Sequence, residues 1–555
     1  MRRLTPWVLG ATLLLLVLTP LPTPAAAATT IAAAIGDLVP ALGADAARGD
    51  GALVAHLYAT RGYAPLWLDD GRPNHRAHDL IAALGDAAAH GLDAADYDAA
   101  GLADAVARAE SAPPRTAAEA ARLEVALGTA AVRLLHDLHR GRVDPAALGV
   151  DYDQQGKQAR LIALSEELAG GTPVATVVDD AVPPLRENLL LERQLARYRA
   201  LAAAAEKAPP QDAAALAPVV VAGTLRPGDR FAAAARLARW LAAVGDLDVE
   251  AVAAVADRYE GVLVGAVQRF QSRHGLAADG VIGPATAAAL AVPLAVRRRQ
   301  IELALERLRW LPLLARDRAV IANVPGFEAL AFDAIGTARL PALRMPIIAG
   351  RAFRTETPFF SRPMTQVVFA PYWNVPTSIV RKEQLPKIRR DPGYLAREQM
   401  QIVRAGRVLT PGPAAIAELA NGAAELRQRP GAKNALGRVK FLFPNPYDVY
   451  MHDTPARELF TRARRDFSHG CIRLGDAAAM AHWVLGGEGL APERIDALLA
   501  ATEQTIVPLR RPITVVIAYA TAVARADETI AFYDDVYGHD LELEQALAAR
   551  RRPRY

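Results

Sequence analysis

The sequence lacks three features that mark whole classes of protein. Only one of its 555 residues is a cysteine, Cys471, so no disulfide can form within the chain. The charges nearly balance, with 64 basic and 60 acidic residues, and no basic stripe with interleaved aromatic residues is present, which argues against nucleic-acid binding. Apolar runs are short, and none reaches the roughly 20 residues that a membrane-spanning helix needs.

Residues 1–28 have the pattern of an export signal. Arg2 and Arg3 form a positive end, residues 7–18 an apolar run, and residues 25–28 a small-residue stretch suited to a signal peptidase. We therefore expect an exported protein with a cleaved signal, or a membrane-anchored one if the signal is retained. A lone thiol in an oxidising compartment is a liability unless it has a use, which makes Cys471 a candidate functional residue.

The length and the composition indicate several globular domains, because hydrophobic cores stop growing beyond about 250–300 residues. Helical patterns dominate residues 30–235, where no catalytic constellation appears. β-rich segments such as 319–324, 365–369 and 439–443 dominate the last part, and we expect its closing strands at 513–522 and 529–532. The sequence therefore predicts a multi-domain α+β protein. Its predicted parts are a helical scaffold (30–235), a small helical bundle (236–291), a connecting helix (292–317), a mostly-β domain (318–545) with an insertion (377–437), and a basic tail (546–555).

The small bundle carries distinct helix and turn signals. An apolar pattern at helical spacing over residues 263–274 is followed by Gly275, which fits the position just after a helix end. Residues 279–280 read DG, a turn pair, and residues 283–284 read GP, which suits the start of a second helix. Taken alone, these residues predict a helical bundle pinned by a glycine-rich turn.

The chemistry is concentrated in residues 437–474. Alternating residues over 439–443, a turn at 444–446 and a return strand over 447–452 place Tyr450 and His452 on one face of a hairpin. A histidine at the end of a strand is held rigidly, as a general base requires.

Cys471 lies 19 residues after His452 and directly follows Gly470. Glycine permits a close backbone approach, and the backbone N–H groups of Gly470 and Cys471 suit an oxyanion hole. We predict that His452 keeps Cys471 as the thiolate and that the positive charge of Arg473 lowers the pKa of the thiol further.

Two other interpretations of Cys471 remain open. The first is a buried, inert cysteine, although the polar and glycine-containing surroundings favour a surface loop. The second is a zinc site built from His452, His469 and Cys471 with water as the fourth ligand. Neither a His-Glu-x-x-His helix nor a paired Cys-x-x-Cys supports zinc, so we expect neither a metal nor another cofactor.

Two stretches of the chain resemble known domains. Residues 468–474 read SHGCIRL, and with His452 upstream they resemble the signature of the L,D-transpeptidase catalytic domain. Residues 267–286 are similar to the peptidoglycan-binding domain, and the whole chain is similar to the large periplasmic branch of the L,D-transpeptidase family. The resemblance in the last domain also takes in PYWNVPTSI at 371–379, KNALG at 433–437, FPNPY at 443–447, YATA at 519–522 and DDVYG at 534–538.

The resemblance implies a cysteine acyltransferase that cross-links peptidoglycan in the periplasm. Cys471 is then the nucleophile and His452 the base, and the partners are peptidoglycan stem peptides and glycan strands, with carbapenems as donor mimics. It further implies that Ser468, His469, Gly470 and Arg473 shape the cysteine loop or contact the donor or the oxyanion, and that Trp373, Asn374 and Tyr450 contact substrate.

Three functions remain as alternatives at this point. A transpeptidase passes the acyl group to an amine and makes a 3→3 cross-link, whereas an L,D-carboxypeptidase passes it to water. A non-catalytic wall-binding protein is the third. We expect the insertion at 377–437 to act as a lid over the acyl-enzyme.

Overall fold

The computed structural model describes residues 24–43, 50–207, 216–314, 317–335 and 340–550. Most of the predicted export signal (1–23) and the end of the predicted basic tail (551–555) lie outside these residues. Within the described ranges, no helix combines the length and the apolar character needed to cross a bilayer. The chain divides into two compact units, the first formed by Met1–Gly85, Tyr97–Leu134 and Ile162–Val177, and the second by Asp86–Asp96, Leu135–Leu161 and Val178–Tyr555.

The first unit is helical, with one short hairpin formed by β1 (Leu68–Asp69) and β2 (Arg72–Pro73). A capping box starts its longest helix, because Thr116 Oγ1 accepts from the Glu119 N–H while the Glu119 carboxylate accepts from the Thr116 N–H. The helices that lie wholly or partly in this unit are Pro24–Gly43, Asp50–Thr60, His75–Gly85, Ala99–Ser111, Ala117–Arg140, Gln155–Ala169 and Val174–Ala181.

The second unit contains the predicted small bundle, formed by helices Ala234–Val244, Val262–Arg273 and Pro284–Leu290. Gly275 follows the end of the middle helix, as the sequence predicts. Its φ of +66° is a backbone conformation that only glycine adopts at low cost. The buried Gln271 side chain fixes the next turn, since it donates to Asp279 and accepts from the Gly280 N–H.

The predicted scaffold boundary at residue 235 differs from the division into compact units. Helix Arg186–Lys207 belongs to the second unit and packs against helix Leu294–Leu308. Leu195 and Tyr198 of the first of these helices share a core with Phe270 of the small bundle. Helical periodicity reveals the helix but not the neighbour that buries its apolar face.

A nine-stranded sheet forms the centre of the last domain, which confirms the predicted α+β class. Its strand order is β13-β5-β14-β12-β11-β6-β15-β3-β4, and β4 also pairs with β5, so eight of the strands close into a ring. The strands that follow β2 are β3 (Ala319–Asn323), β4 (Glu328–Phe332), β5 (Leu343–Gly350), β6 (Ser361–Phe369), β7 (Trp373–Asn374), β8 (Met400–Arg404), β9 (Arg407–Val408), β10 (Glu425–Gln428), β11 (Val439–Leu442), β12 (Met451–His452), β13 (Asp466–Ser468), β14 (Ile472–Leu474), β15 (Thr505–Ala518), β16 (Ala522–Ala524) and β17 (Ile530–Phe532).

The insertion folds as a small body with its own sheet, in the order β7-β10-β8-β9. Helices Leu385–Arg390 and Pro413–Asn421 cover this sheet, and Ile402, Leu419 and Leu426 form its buried core. The sheet includes Trp373 and Asn374, so the inserted body begins a few residues before the predicted start at 377.

Three details of the last domain differ from the sequence predictions. The predicted closing strands at 513–522 and 529–532 are instead the long β15 and a separate hairpin of β16 and β17. The return strand predicted over 447–452 is limited to Met451–His452, because the Asn445 side chain bonds the backbone of residues 443, 447 and 449. The predicted tail at 546–555 begins inside helix His539–Arg550, where Leu547 packs in the domain core.

Candidate active site

Five polar side chains share one face of the central sheet, and we call them the active-site face: Lys440, Tyr450, His452, Cys471 and Arg473. β12 runs parallel to β14 with His452 opposite Arg473, which places Tyr450 opposite Cys471. β11 runs antiparallel to β12 with Lys440 opposite His452. Residues that face each other across strands, and residues two apart along a strand, project to the same side.

The opposite face of the same strands carries the core and fixes the register. Phe441, Met451, Ile472 and Leu474 alternate with the active-site residues and are completely buried. A slip of one residue would expose these apolar side chains and bury the polar ones, so the core determines which side chains meet at the site.

A backbone carbonyl orients the imidazole of His452. Its Nδ1 bonds the carbonyl oxygen of Asp453, so Nδ1 carries the proton and Nε2 is the atom left to accept one. Burial, together with the charges of Arg473 and Lys440, lowers the pKa of His452 from 6.5 to about 3. The imidazole is therefore a neutral base at neutral pH.

Asp453 is itself fixed by its surroundings. Its buried carboxylate accepts from the Arg438 N–H at 2.9 Å and pairs with Arg457. Gly437 adopts a φ of +61°, and a Cβ added there would lie 2.4 Å from the carboxyl carbon of Asp453. Glycine at position 437 thus leaves room for the Asp453 carboxylate. The bonds of this carboxylate hold Asp453 in place, and the Asp453 carbonyl orients His452.

Cys471 is partly exposed, and its thiol lies 3.7 Å from the carbonyl oxygen of Asp448. Burial raises the pKa of the Cys471 thiol, although hydrogen bonds from Tyr450 and the charge of Arg473 act in the opposite direction. Desolvation thus outweighs the positive charge of Arg473, and the thiol pKa is raised where the sequence analysis predicts that it is lowered.

The cysteine loop is held by Ser468. Its hydroxyl donates to the Cys471 carbonyl oxygen at 2.6 Å and accepts from the Gly470 N–H at 3.1 Å. Gly470 has a φ of +114°, a conformation that only glycine adopts readily. The Gly470 N–H is occupied by Ser468, whereas the Cys471 N–H has no acceptor among the described residues and is left free to donate.

The other candidate residues from the sequence are Arg473, which belongs to the active-site face, and Trp373 and Asn374 on β7. Arg473 is half-buried, and its Nε has no hydrogen-bond partner within the described part of the chain. Burial raises the pKa of the Tyr450 hydroxyl and nearby Trp373 lowers it slightly, so Tyr450 stays protonated. Asn374 is exposed on the edge strand β7, where it pairs with Arg427 of β10.

Sequence patterns missed two residues beside the site. Lys440 lies over the Tyr450 ring at 5.6 Å, and burial lowers its pKa. A hairpin symmetric about Asn445 would pair Lys440 with Tyr450. The loop extends further on its second side, so Lys440 pairs with His452 instead. The other is Glu383 of the insertion, whose carboxylate lies 2.6 Å from Nε2 of His469.

The zinc arrangement of His452, His469 and Cys471 is not formed. His452 bonds a backbone carbonyl and His469 bonds Glu383. Among the residues that the structure describes, no three His, Cys, Asp or Glu side chains are grouped so that they could hold a metal ion.

Comparison with protein-family models identifies all three parts of the chain. Residues 52–195 match a scaffold domain, residues 233–290 match a model described as "Putative peptidoglycan binding domain", and residues 317–509 match the L,D-transpeptidase catalytic domain. The last part of the chain is therefore similar to an L,D-transpeptidase catalytic domain. This match includes His452, the insertion and Cys471, so the active-site face lies within the matched domain.

A curated relative supports the same family. A Haemophilus influenzae protein named "Putative L,D-transpeptidase" is 29% identical to this chain over 245 residues. The aligned region covers 43% of this chain and 48% of the relative, so the chain spans about half the length of the curated relative that it matches.

Proposed function

We propose that the protein forms 3→3 peptidoglycan cross-links through a thioester on Cys471. The observation that supports this most strongly is the arrangement of His452, whose Nδ1–H is bonded to a backbone carbonyl while Nε2 stays free on the same sheet face as Cys471. A fixed, neutral base beside a thiol is the pairing that covalent acyl transfer requires.

In the first half of the proposed reaction, the donor is a tetrapeptide stem that ends in D-alanine. Nε2 of His452 takes the thiol proton as the sulfur attacks the carbonyl carbon of the third residue. The Cys471 N–H donates to the developing oxyanion. The imidazolium then returns the proton to the D-alanine nitrogen, the C–N bond breaks, and a thioester remains.

In the second half, the side-chain amine of another stem attacks the thioester. Nε2 of His452 takes the amine proton, a new C–N bond forms, the C–S bond breaks, and the sulfur regains the proton. Arg473, with its unpartnered Nε, is suited to hold a substrate carboxylate near the thioester. In this scheme residues 1–28 export the enzyme to the periplasm, and the matched peptidoglycan-binding domain holds it on the wall.

The insertion acts in this proposal as a lid that favours the amine over water. Glu383 contacts His469, which is two residues before the nucleophile, and Trp373 lies near Tyr450, which faces the nucleophile. Both contacts connect the inserted body to the immediate surroundings of Cys471. A closed lid excludes bulk water from the thioester.

Weakening the lid contact should increase hydrolysis relative to transfer. The substitution Glu383→Gln removes one charge of a half-exposed pair, so the hydrolysis-to-transfer ratio should rise by roughly two- to fivefold. Deleting residues 377–437 should have a larger effect. The control is Glu425→Gln, an exposed carboxylate in the same insertion without an ion pair in the described residues. An unchanged product ratio in both the Glu383→Gln variant and the deletion would show that the insertion is not a lid.

A product analysis tests the proposed reaction itself. Incubation of the full chain with a disaccharide-tetrapeptide should yield a cross-linked dimer and one D-alanine per dimer, separated by liquid chromatography and identified by mass. Tripeptide alone would instead show an L,D-carboxypeptidase that uses the same thioester. No D-alanine release from a folded sample would favour a non-catalytic wall-binding protein.

A further inference from the structure

A groove runs along residues 461–467 on the way to the cysteine loop. Its first section, of about 360 Å³, lies between the end of the peptidoglycan-binding helix at Ser272 and strand β5 at Arg344. Its second section, of about 590 Å³, reaches Phe467, two residues before His469. Arg462 and Ala463 line both sections, so the two sections adjoin at these residues.

The groove is strongly basic, since its only acidic residues are Glu328 and Asp466. The excess of four positive charges there equals the net charge of +4 of the whole 555-residue chain. A concave surface of one sign of charge concentrates ligands of the other sign. The groove arginines are Arg344, Arg351, Arg462, Arg464, Arg465 and Arg525.

Only two of these arginines form ion pairs with a carboxylate among the described residues. Arg344 pairs with Glu328 at 2.7 Å and Arg464 pairs with Asp466 at 2.7 Å. The other four have no carboxylate within ion-pair distance among the described residues. Arg462 lies over the Phe467 ring at 5.9 Å, and the side chain of Arg351 is exposed.

The two remaining arginines are held by backbone carbonyls instead of carboxylates. Arg465 donates to the carbonyl oxygens of Ile347 and Phe327, and Arg525 donates to that of Ser272 at 2.6 Å. These bonds fix the position of each guanidinium without neutralising its charge. Fixed guanidinium groups bind carboxylates through paired hydrogen bonds with little further loss of side-chain entropy.

We propose that this groove binds the free carboxylates of peptidoglycan stem peptides and guides the bound strand from the peptidoglycan-binding domain to the cysteine loop. The proposal rests on the proposed function for the identity of the strand, and on the position and charge of the groove for the binding site. A peptide stem with free carboxylates complements four unpaired guanidinium groups along one path. Tethering the strand at both ends of the groove raises the local concentration of stems near Cys471.

The test measures binding of soluble peptidoglycan strands to the full chain carrying Cys471→Ala, so that no turnover occurs. Adding Arg351→Gln and Arg462→Gln should weaken binding about tenfold at low salt, and by less at higher salt because screening shortens the range of the charges. The matched control is Arg122→Gln with Arg494→Gln, two exposed arginines without ion pairs in the described residues, and it should bind like the parent. Strands whose carboxylates are converted to amides should bind weakly to the parent and to the groove variant alike.

Equal binding of native strands by the groove variant and the control, with equal unfolding midpoints, would overturn the proposal. Equal binding of native and amidated strands by the parent would overturn it as well. Because the Cys471→Ala background needs no acyl transfer, a failure to cross-link would count against the proposed function and leave this binding result intact.

Discussion

Replacing Cys471 with alanine should abolish release of D-alanine from a tetrapeptide donor, with a loss of at least about 10⁴-fold, as for other nucleophile deletions. No other cysteine is present to take over. The measurement is D-alanine release by the variant and the parent under the same conditions. The thiol is partly exposed and its removal leaves the Ser468 bonds to the loop backbone, so the unfolding midpoint should stay close to that of the parent. A folded Cys471→Ala protein that still released D-alanine would rule out the thioester.

Replacing His452 with alanine should slow acylation by about 10²–10⁴-fold, the usual contribution of a general base. The effect is large because burial raises the pKa of the Cys471 thiol, so the resting thiol needs a base to lose its proton. Rates of acylation by a carbapenem provide the measurement. The control is His482→Ala, a histidine on helix Ala477–Gly486 that pairs with Asp496. Equal rates in the His452→Ala and control variants would remove His452 from the mechanism.

The pH dependence of acylation follows from the depressed pKa of His452. Because this pKa is about 3 in the folded protein, the imidazole stays unprotonated as the pH falls from 7 to 5. The acid limb of the rate profile should therefore lie below pH 5, and a half-maximal rate near pH 6.5 would contradict the assignment. In the unfolded chain the histidine recovers its ordinary pKa near 6.5 and binds a proton more readily, so this group progressively lowers stability as the pH falls below about 6.5.

The two central predictions from the sequence, His452 and Cys471, rest on local signals. His452 stands at the end of an alternating strand, and Cys471 stands in a short glycine-containing loop. The partners of these residues depend on strand register, which no short pattern contains. Lys440 lies on the site face in either register, because a shift of two residues keeps a side chain on the same side, but the loop at Asn445 changes its partner from Tyr450 to His452.

The sequence also does not reveal which effect dominates the pKa of the Cys471 thiol. Arg473 near Cys471 suggested a lowered thiol pKa, and its charge does act in that direction. Burial acts more strongly, and the burial of a side chain depends on the tertiary fold. Glu383 could not be found from the sequence either. It is 86 residues from His469, and only the fold of the insertion brings the two side chains together.

The most direct test of the mechanism is intact-protein mass spectrometry after incubation with a carbapenem, followed by digestion to locate the adduct. The mechanism predicts a single added drug mass on the peptide that contains Cys471, no adduct in the Cys471→Ala variant, and slow formation in His452→Ala. A folded wild-type protein that gains no mass, or gains it on a different residue, would contradict the cysteine acyl-enzyme.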